Sequence, residues 1–177
     1  MPPVKNVTKL ADYFGRSTGR FVNRTGATLY RGQIAMLDLR KTQAESTNLT
    51  PGDSASGLGN LTPCVQTDLN NGIPCVVALE DISDNVEGTC LIYGFAEIMC
   101  LDDDVSTTDA DFGDGIGVLV AESATAAQAY VTGGRYMGTW LDEAAAATDA
   151  SATQFDASSH RRWGLWMGGI PGHGVGL

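Results

Sequence analysis

Glycine and proline, 22 and 6 of them in 177 residues, are placed so that no apolar run exceeds four or five residues. Chains punctuated in this way cannot sustain the 3.6-residue period of a packed helix, and short apolar runs closed by turn residues favour strands. Nine candidate strands follow: residues 33–39, 64–67, 74–79, 89–93, 95–101, 116–121, 128–131, 136–140 and 163–167. Asn70-Asn71-Gly72 and Gly133-Gly134 suit the positive φ of primed hairpin turns. Gly94 interrupts a run that is otherwise continuous from 89 to 101, as a bulge or corner would. The fold class predicted is all-β, a sandwich or small barrel in one domain. A hydrophobic fraction of 43% is enough to give it a core.

Four stretches fall outside that pattern. Residues 1–25 read as an N-terminal arm, in which Val7, Leu10, Ala11 and Phe14 share one helical face ahead of Gly15. A helix this short is ordered only where Leu10 and Phe14 find something to pack on. Residues 26–167 form the body, which carries a Ser/Thr/Gly-rich loop (42–61) and an Ala-rich insertion (141–159) expected to hold a short helix. Residues 168–177, with five glycines in ten positions, form a tail that is either mobile or laid across a neighbour.

Charge divides along the same lines. Residues 1–41 carry eight basic and two acidic side chains, residues 42–134 carry no Lys or Arg and fifteen acids, and the whole chain stands at −10. An acidic body opposes approach to a polyanion, so nucleic acid is not an expected partner. The basic arm suits an acidic protein surface instead. Lys5, Lys9, Leu10, Tyr13, Phe14, Arg16 and Arg20 are the expected contact residues. No signal sequence is readable and no apolar stretch approaches the roughly 20 residues of a membrane span, so a soluble protein without a membrane partner is expected.

Chemistry is poorly supported. Gly52-Asp53-Ser54-Ala55-Ser56 lacks the second glycine of a nucleophile elbow, and His160 and His173 stand where nothing holds an imidazole still. Gly113-x-Gly115-x-Gly117 leads into a strand and not a helix, so no nucleotide cofactor is expected. Asp109 and Asp111 begin like a calcium loop, but Gly113 replaces the third ligand and Val120 the twelfth, which leaves a solvated acidic loop at 102–114 as the default. Cys64, Cys75, Cys90 and Cys100 show no C-x-x-C knuckle, and no metal is expected. Cys64 and Cys75 flank the Asn-Asn-Gly turn, where geometry permits a disulfide across a hairpin. The four N-x-[ST] matches, at Asn6, Asn23, Asn48 and Asn60, read as chance.

Three segments resemble the small capsid decoration, or cement, proteins of tailed bacteriophages. They are the strand-like stretch 29–37 (Leu-Tyr-Arg-Gly-Gln-Ile-Ala-Met-Leu), the run 72–82 that feeds 89–98 through an acidic turn, and the glycine-bearing stretch 131–143. Together they lie within about two-thirds of the chain. The resemblance implies a β-barrel or β-tulip body, commonly a homotrimer, made in the host cytoplasm and placed on the virion surface where major capsid protein subunits meet. It implies no catalytic residues and no cofactor. The competing reading is a carbohydrate- or host-surface-binding β module that presents Trp140, Trp163 and Trp166.

Overall fold

A computed structural model describes residues 15–38, 59–100, 113–118, 120, 125–129, 133–141 and 161–168. Among them, nine strands and one five-residue helix are found, so the protein is all-β. The strands are β1 (Ser17–Asn23), β2 (Ile34–Leu37), β3 (Asn60–Thr62), β4 (Cys75–Ala78), β5 (Glu87–Met99), β6 (Gly115–Val118), β7 (Gln128–Ala129), β8 (Arg135–Trp140) and β9 (Arg161–Trp166), with helix α1 (Gln66–Asn70) between β3 and β4.

The strand pairings are organised around β5, which at 13 residues is the longest element described. Its first half pairs antiparallel with β1, from Val22↔Glu87 to Ser17↔Tyr93, and with β4 through Val77↔Leu91 and Ala78↔Cys90. β1 lies parallel to β3, β3 antiparallel to β2, and β2 antiparallel to β4, so this series of pairings returns to β5. The second half of β5 pairs with β9, β9 with β8, β8 with β6 and β6 with β7. That series also returns, because Ala127 beside β7 bridges Cys100 beside β5, and the Ala127 N–H donates to the Met99 carbonyl at 2.9 Å. Circuits of this kind pair strand edges that would otherwise template association.

Side-chain alternation explains which strands became central. In β4, Cys75 and Val77 join one buried cluster while Val76 and Ala78 join another. In β2, Ile34 and Met36 face the first cluster, and Ala35 and Leu37 the second. Both strands are therefore buried on two faces, which is why they read as unbroken apolar runs. The first cluster also takes Leu91, Ile98, Ile116, Met137, Trp140 and Trp166, and so joins the two circuits.

The two largest buried side chains lie opposite glycines in the strand register. Trp166 lies opposite Gly138 on one side and Gly94 on the other, and Trp140 lies opposite Gly164. A Cβ at Gly138 would stand 1.9 Å from the Leu165 carbonyl oxygen. A Cβ at Gly94, where φ is +122°, would stand 3.1 Å from the Gly15 oxygen. Gly94 therefore lets β5 pass from one set of partners to the other while β1 closes in beside it.

Several expectations change. Residues 89–93 and 95–101 are not two strands but parts of one, with Gly94 inside it. Residues 64–67 are not a strand but lead into α1, and Asn70-Asn71-Gly72 ends that helix in place of a hairpin, with Gly72 at φ +90°. The arm is shorter than residues 1–25, because Ser17–Asn23 is β1 and lies within the sheet. The loop 42–61 ends earlier as well, since Asn60 and Leu61 are in β3. Of the insertion at 141–159, Leu141 is described and is bonded from its N–H to the Trp163 carbonyl; the remainder lies outside the described residues. So does the tail, apart from Gly168.

The close approach at Gly138 sets a testable contrast. Gly138→Ala is expected to lose about 4 kcal/mol or more, because a backbone carbonyl blocks the added carbon. Gly113→Ala, at φ +94° but with nothing within 4 Å of the added carbon, is expected to cost only about 1 kcal/mol. Urea unfolding of the two variants checks the difference.

Candidate partner-contact site

The contact residues named from sequence divide at Gly15. Lys5, Lys9, Leu10, Tyr13 and Phe14 lie outside the described residues, whereas Arg16 and Arg20 are placed and exposed. β1 is exposed at Ser17, Thr18 and Arg20, and its inward side carries Phe21, which packs against the second cluster. The Phe21 ring lies over Gly19, where a Cβ would come within 2.7 Å of it. Arg20 pairs with Glu87 at 3.2 Å across the β1–β5 ladder. Both side chains are more than half exposed, so the pair adds less than about 1 kcal/mol and leaves the guanidinium open to other partners.

The root of the arm lies at the bend of β5. Gly15 and Arg16 approach Gly94 along the edge of β5 that β1 occupies. On the opposite edge, Gly168 sits against the Ile92 carbonyl and accepts the Cys75 N–H at 3.2 Å. Residues 1–14 and 169–177 therefore join the described body on the two sides of one short stretch of β5. Sequence spacing gave no sign of this, since 152 positions separate Gly168 from Arg16.

The acidic residues of the body have a more local role than their number suggested. Asp81 accepts the Arg31 N–H at 2.8 Å, Asp84 the Gly26 N–H at 3.1 Å, and Glu80 the Thr89 N–H at 2.7 Å. Arg31 also pairs with Glu97, and Arg24 bonds Asn85, whose φ is +62°. These side chains tie the turns at one end of the first circuit. The backbone and hydroxyl bonds from Thr89 hold the Glu80 carboxyl below its ordinary range.

Asn23 is buried in the same region, and both ends of its amide are satisfied. Its Nδ2 donates to Ala27 O at 2.7 Å and Ile82 O at 2.8 Å, and its Oδ1 accepts from the Thr25 N–H and hydroxyl. Asn60 is buried too, at 5% exposure, so two of the four N-x-[ST] matches are structural positions closed to a glycan.

All four cysteines are free and buried. Cys64 and Cys75 have not formed the disulfide that the spacing permits; they meet as thiols, hydrogen-bonded to one another. That hydrogen bond, with burial, pushes the Cys75 thiol well above its ordinary value. Burial, helped by the Glu80 carboxylate, pushes Cys90 up to about 12. Among the described residues no three His, Cys, Asp or Glu side chains are gathered as metal ligands. Of the acidic loop 102–114, only Gly113 and Asp114 are described.

The tryptophan platform is overturned. Trp140 and Trp166 are fully buried, and Trp163 alone is half-buried on the other face of β9. A three-residue spacing in a strand places Trp163 and Trp166 on opposite faces, so they cannot stack a sugar together.

Comparison of the chain with protein-family models, with curated proteins and with solved structures finds no match.

Glu80 gives this end of the molecule a pH signature. Its folded pKa lies below its unfolded one, so its stabilisation is complete above the unfolded value and is lost as pH falls through the folded value. Glu80→Gln is therefore expected to be less stable than wild type at about pH 7 and to show a shallower loss down to about pH 3. Urea midpoints across that range check it, and parallel curves would contradict it.

Proposed function

We propose that this chain is a structural decoration protein of a bacteriophage head, binding the outer surface and bridging major capsid protein subunits, with a homotrimer as the working unit. In this reading the two circuits of strands are two small barrels fused along β5, and residues 1–16 and the tail are the attachments they carry. The observation that carries the reading is how the arm is rooted. β1 is held on one edge by β5 and on the other by β3, so an arm leaving at Gly15 is tethered to a fixed body and not to a loop. Arg16 stands exposed at that root, and Arg20 stands exposed four residues further on, in β1.

A tether so rooted suits a cement role because each contact raises the effective concentration of the next. Lys5, Lys9 and Arg16 in the arm and its root, with Arg20 beside them on β1, suit an acidic surface that the fifteen acids of 42–134 would repel. The resemblance of 29–37, 72–98 and 131–143 to cement proteins supplies the partner class. The carbohydrate reading has lost its platform with the burial of Trp140 and Trp166.

The experiment is truncation of residues 1–14, which leaves β1 whole. The truncated protein is expected to unfold at the same urea midpoint as wild type, and its affinity for shells of its partner major capsid protein to fall by about 100-fold or more. Binding at wild-type occupancy, measured by co-sedimentation, would overturn the assignment. Light scattering of the free protein is expected to give three times the 18.6 kDa chain mass.

A further inference from the structure

We propose that Cys64 and Cys75 are the two halves of an oxidisable staple, closed by exchange with a small-molecule disulfide to lock the segment that carries α1 onto the sheet. The juxtaposition follows from strand register. Met36 of β2 is partnered by Thr62 of β3 on one side and by Cys75 of β4 on the other. β3 and β4 therefore run parallel on either side of β2, and the chain between them crosses the face that carries Met36, where Cys64 and Leu69 join its cluster. Cys64 stands near the start of that connecting chain and Cys75 at its end. Both belong to the cluster that joins the two circuits, at 3% and 0% exposure, and their thiols are in contact.

This segment has reason to need a staple. α1 is five residues long, its N-terminus carries no side-chain cap bond, and Leu69 is its one buried side chain. The Pro74 carbonyl accepts the Leu37 N–H at 3.0 Å, Gln66 Oε1 accepts the Val120 N–H at 3.0 Å, and the Leu69 carbonyl accepts from Arg135. The Cys75 carbonyl accepts the Trp166 indole N–H at 3.2 Å, so a bond at Cys75 would tie α1 to the residue that joins the circuits.

The chemistry balances with oxidised glutathione as the oxidant. The Cys64 thiolate attacks one glutathione sulfur, forming a mixed disulfide and releasing one glutathione thiolate. The Cys75 thiolate then attacks the Cys64 sulfur, forming the Sγ–Sγ bond and releasing the second glutathione. The two protons lost from the protein thiols end on the two released glutathiones. Because Cys75 is held as a thiol by its neighbour and by burial, exchange in the folded body waits on opening of the segment and is expected to be slow. Refolding from denaturant in the same buffer removes that wait. The proposal stands independently of the decoration reading.

The test is oxidation of the full chain in both ways, followed by peptide mass spectrometry after cleavage on the N-terminal side of aspartate. Trypsin cannot serve, since residues 42–134 hold no Lys or Arg, but cleavage before Asp53, Asp68 and Asp81 puts Cys64 and Cys75 on separate peptides. The expected product joins peptides 53–67 and 68–80, leaves Cys90 and Cys100 open to alkylation after denaturation, and melts about 5 °C or more above the reduced protein. Cys64→Ala and Cys75→Ala are expected to show no such oxidative rise. Glutathione adducts that never resolve after refolding, a cross-link through Cys90 or Cys100, or a joined product that melts lower than the reduced form would each overturn the proposal.

Discussion

Thirteen residues of β5 carry two sets of neighbours, and the rest of the molecule depends on the point where the strand passes between them. A strand paired along one edge by β4 and then β9 must change direction, because two separate circuits cannot share a straight line of hydrogen bonds. Gly94 takes that change at a φ of +122°, with no side chain to obstruct Gly15 and Arg16 as they close in. The same residue lies opposite Trp166, so the bend and the largest buried ring are accommodated at one position. A larger residue at 94 would press on Gly15 and Arg16 at the root of the arm.

How much of this was legible in the sequence depended on what each segment could decide for itself. β2, β4, β8 and β9 were legible because their burial writes apolar runs or alternations into the chain. Gly94 was legible as an interruption, though not as the middle of one strand. β1 was not legible, since Ser-Thr-Gly-Arg-Phe-Val-Asn holds two apolar side chains and is a strand because β5 and β3 lie on both sides of it. β3 is three residues long at the end of a Ser/Thr-rich stretch, too short for any period to register. α1 hid between two cysteines and a turn signal that in fact closes a helix. In each miss, tertiary pairing outweighed local propensity.

Of the candidate site, the sequence named Arg16 and Arg20 as contact residues, but not that β1 carries Arg20 in the sheet with Arg16 just ahead of it. It also read the acidic body as a field for association. The structure gives part of that acidity a different origin, since Glu80, Asp81 and Asp84 accept backbone N–H groups where the turns of the first circuit would leave donors unpaired. A carboxylate does this better than an amide because the bond is charge-assisted. Net charge and turn geometry are thus one choice made at the same residues, and a count of acids cannot separate them.

The burial of both faces of β2 and β4 then bears on where contact with a partner can be made. A strand whose two sides are both in the core has no face to offer, and Trp140 and Trp166 are drawn inward for the same reason. Exposed residues of the described body lie in turns, on and beside α1 and on the outer side of β1; Gly15 and Arg16, where residues 1–14 join, are exposed, and Gly168, where residues 169–177 join, is buried. Those two joins flank Ile92 and Gly94, at the most constrained stretch of the longest strand. Force applied through either segment is therefore delivered to the shared strand and divided between two circuits, and not to a hairpin that could peel. Under the proposed cement role, attachments at this seam would load both circuits together.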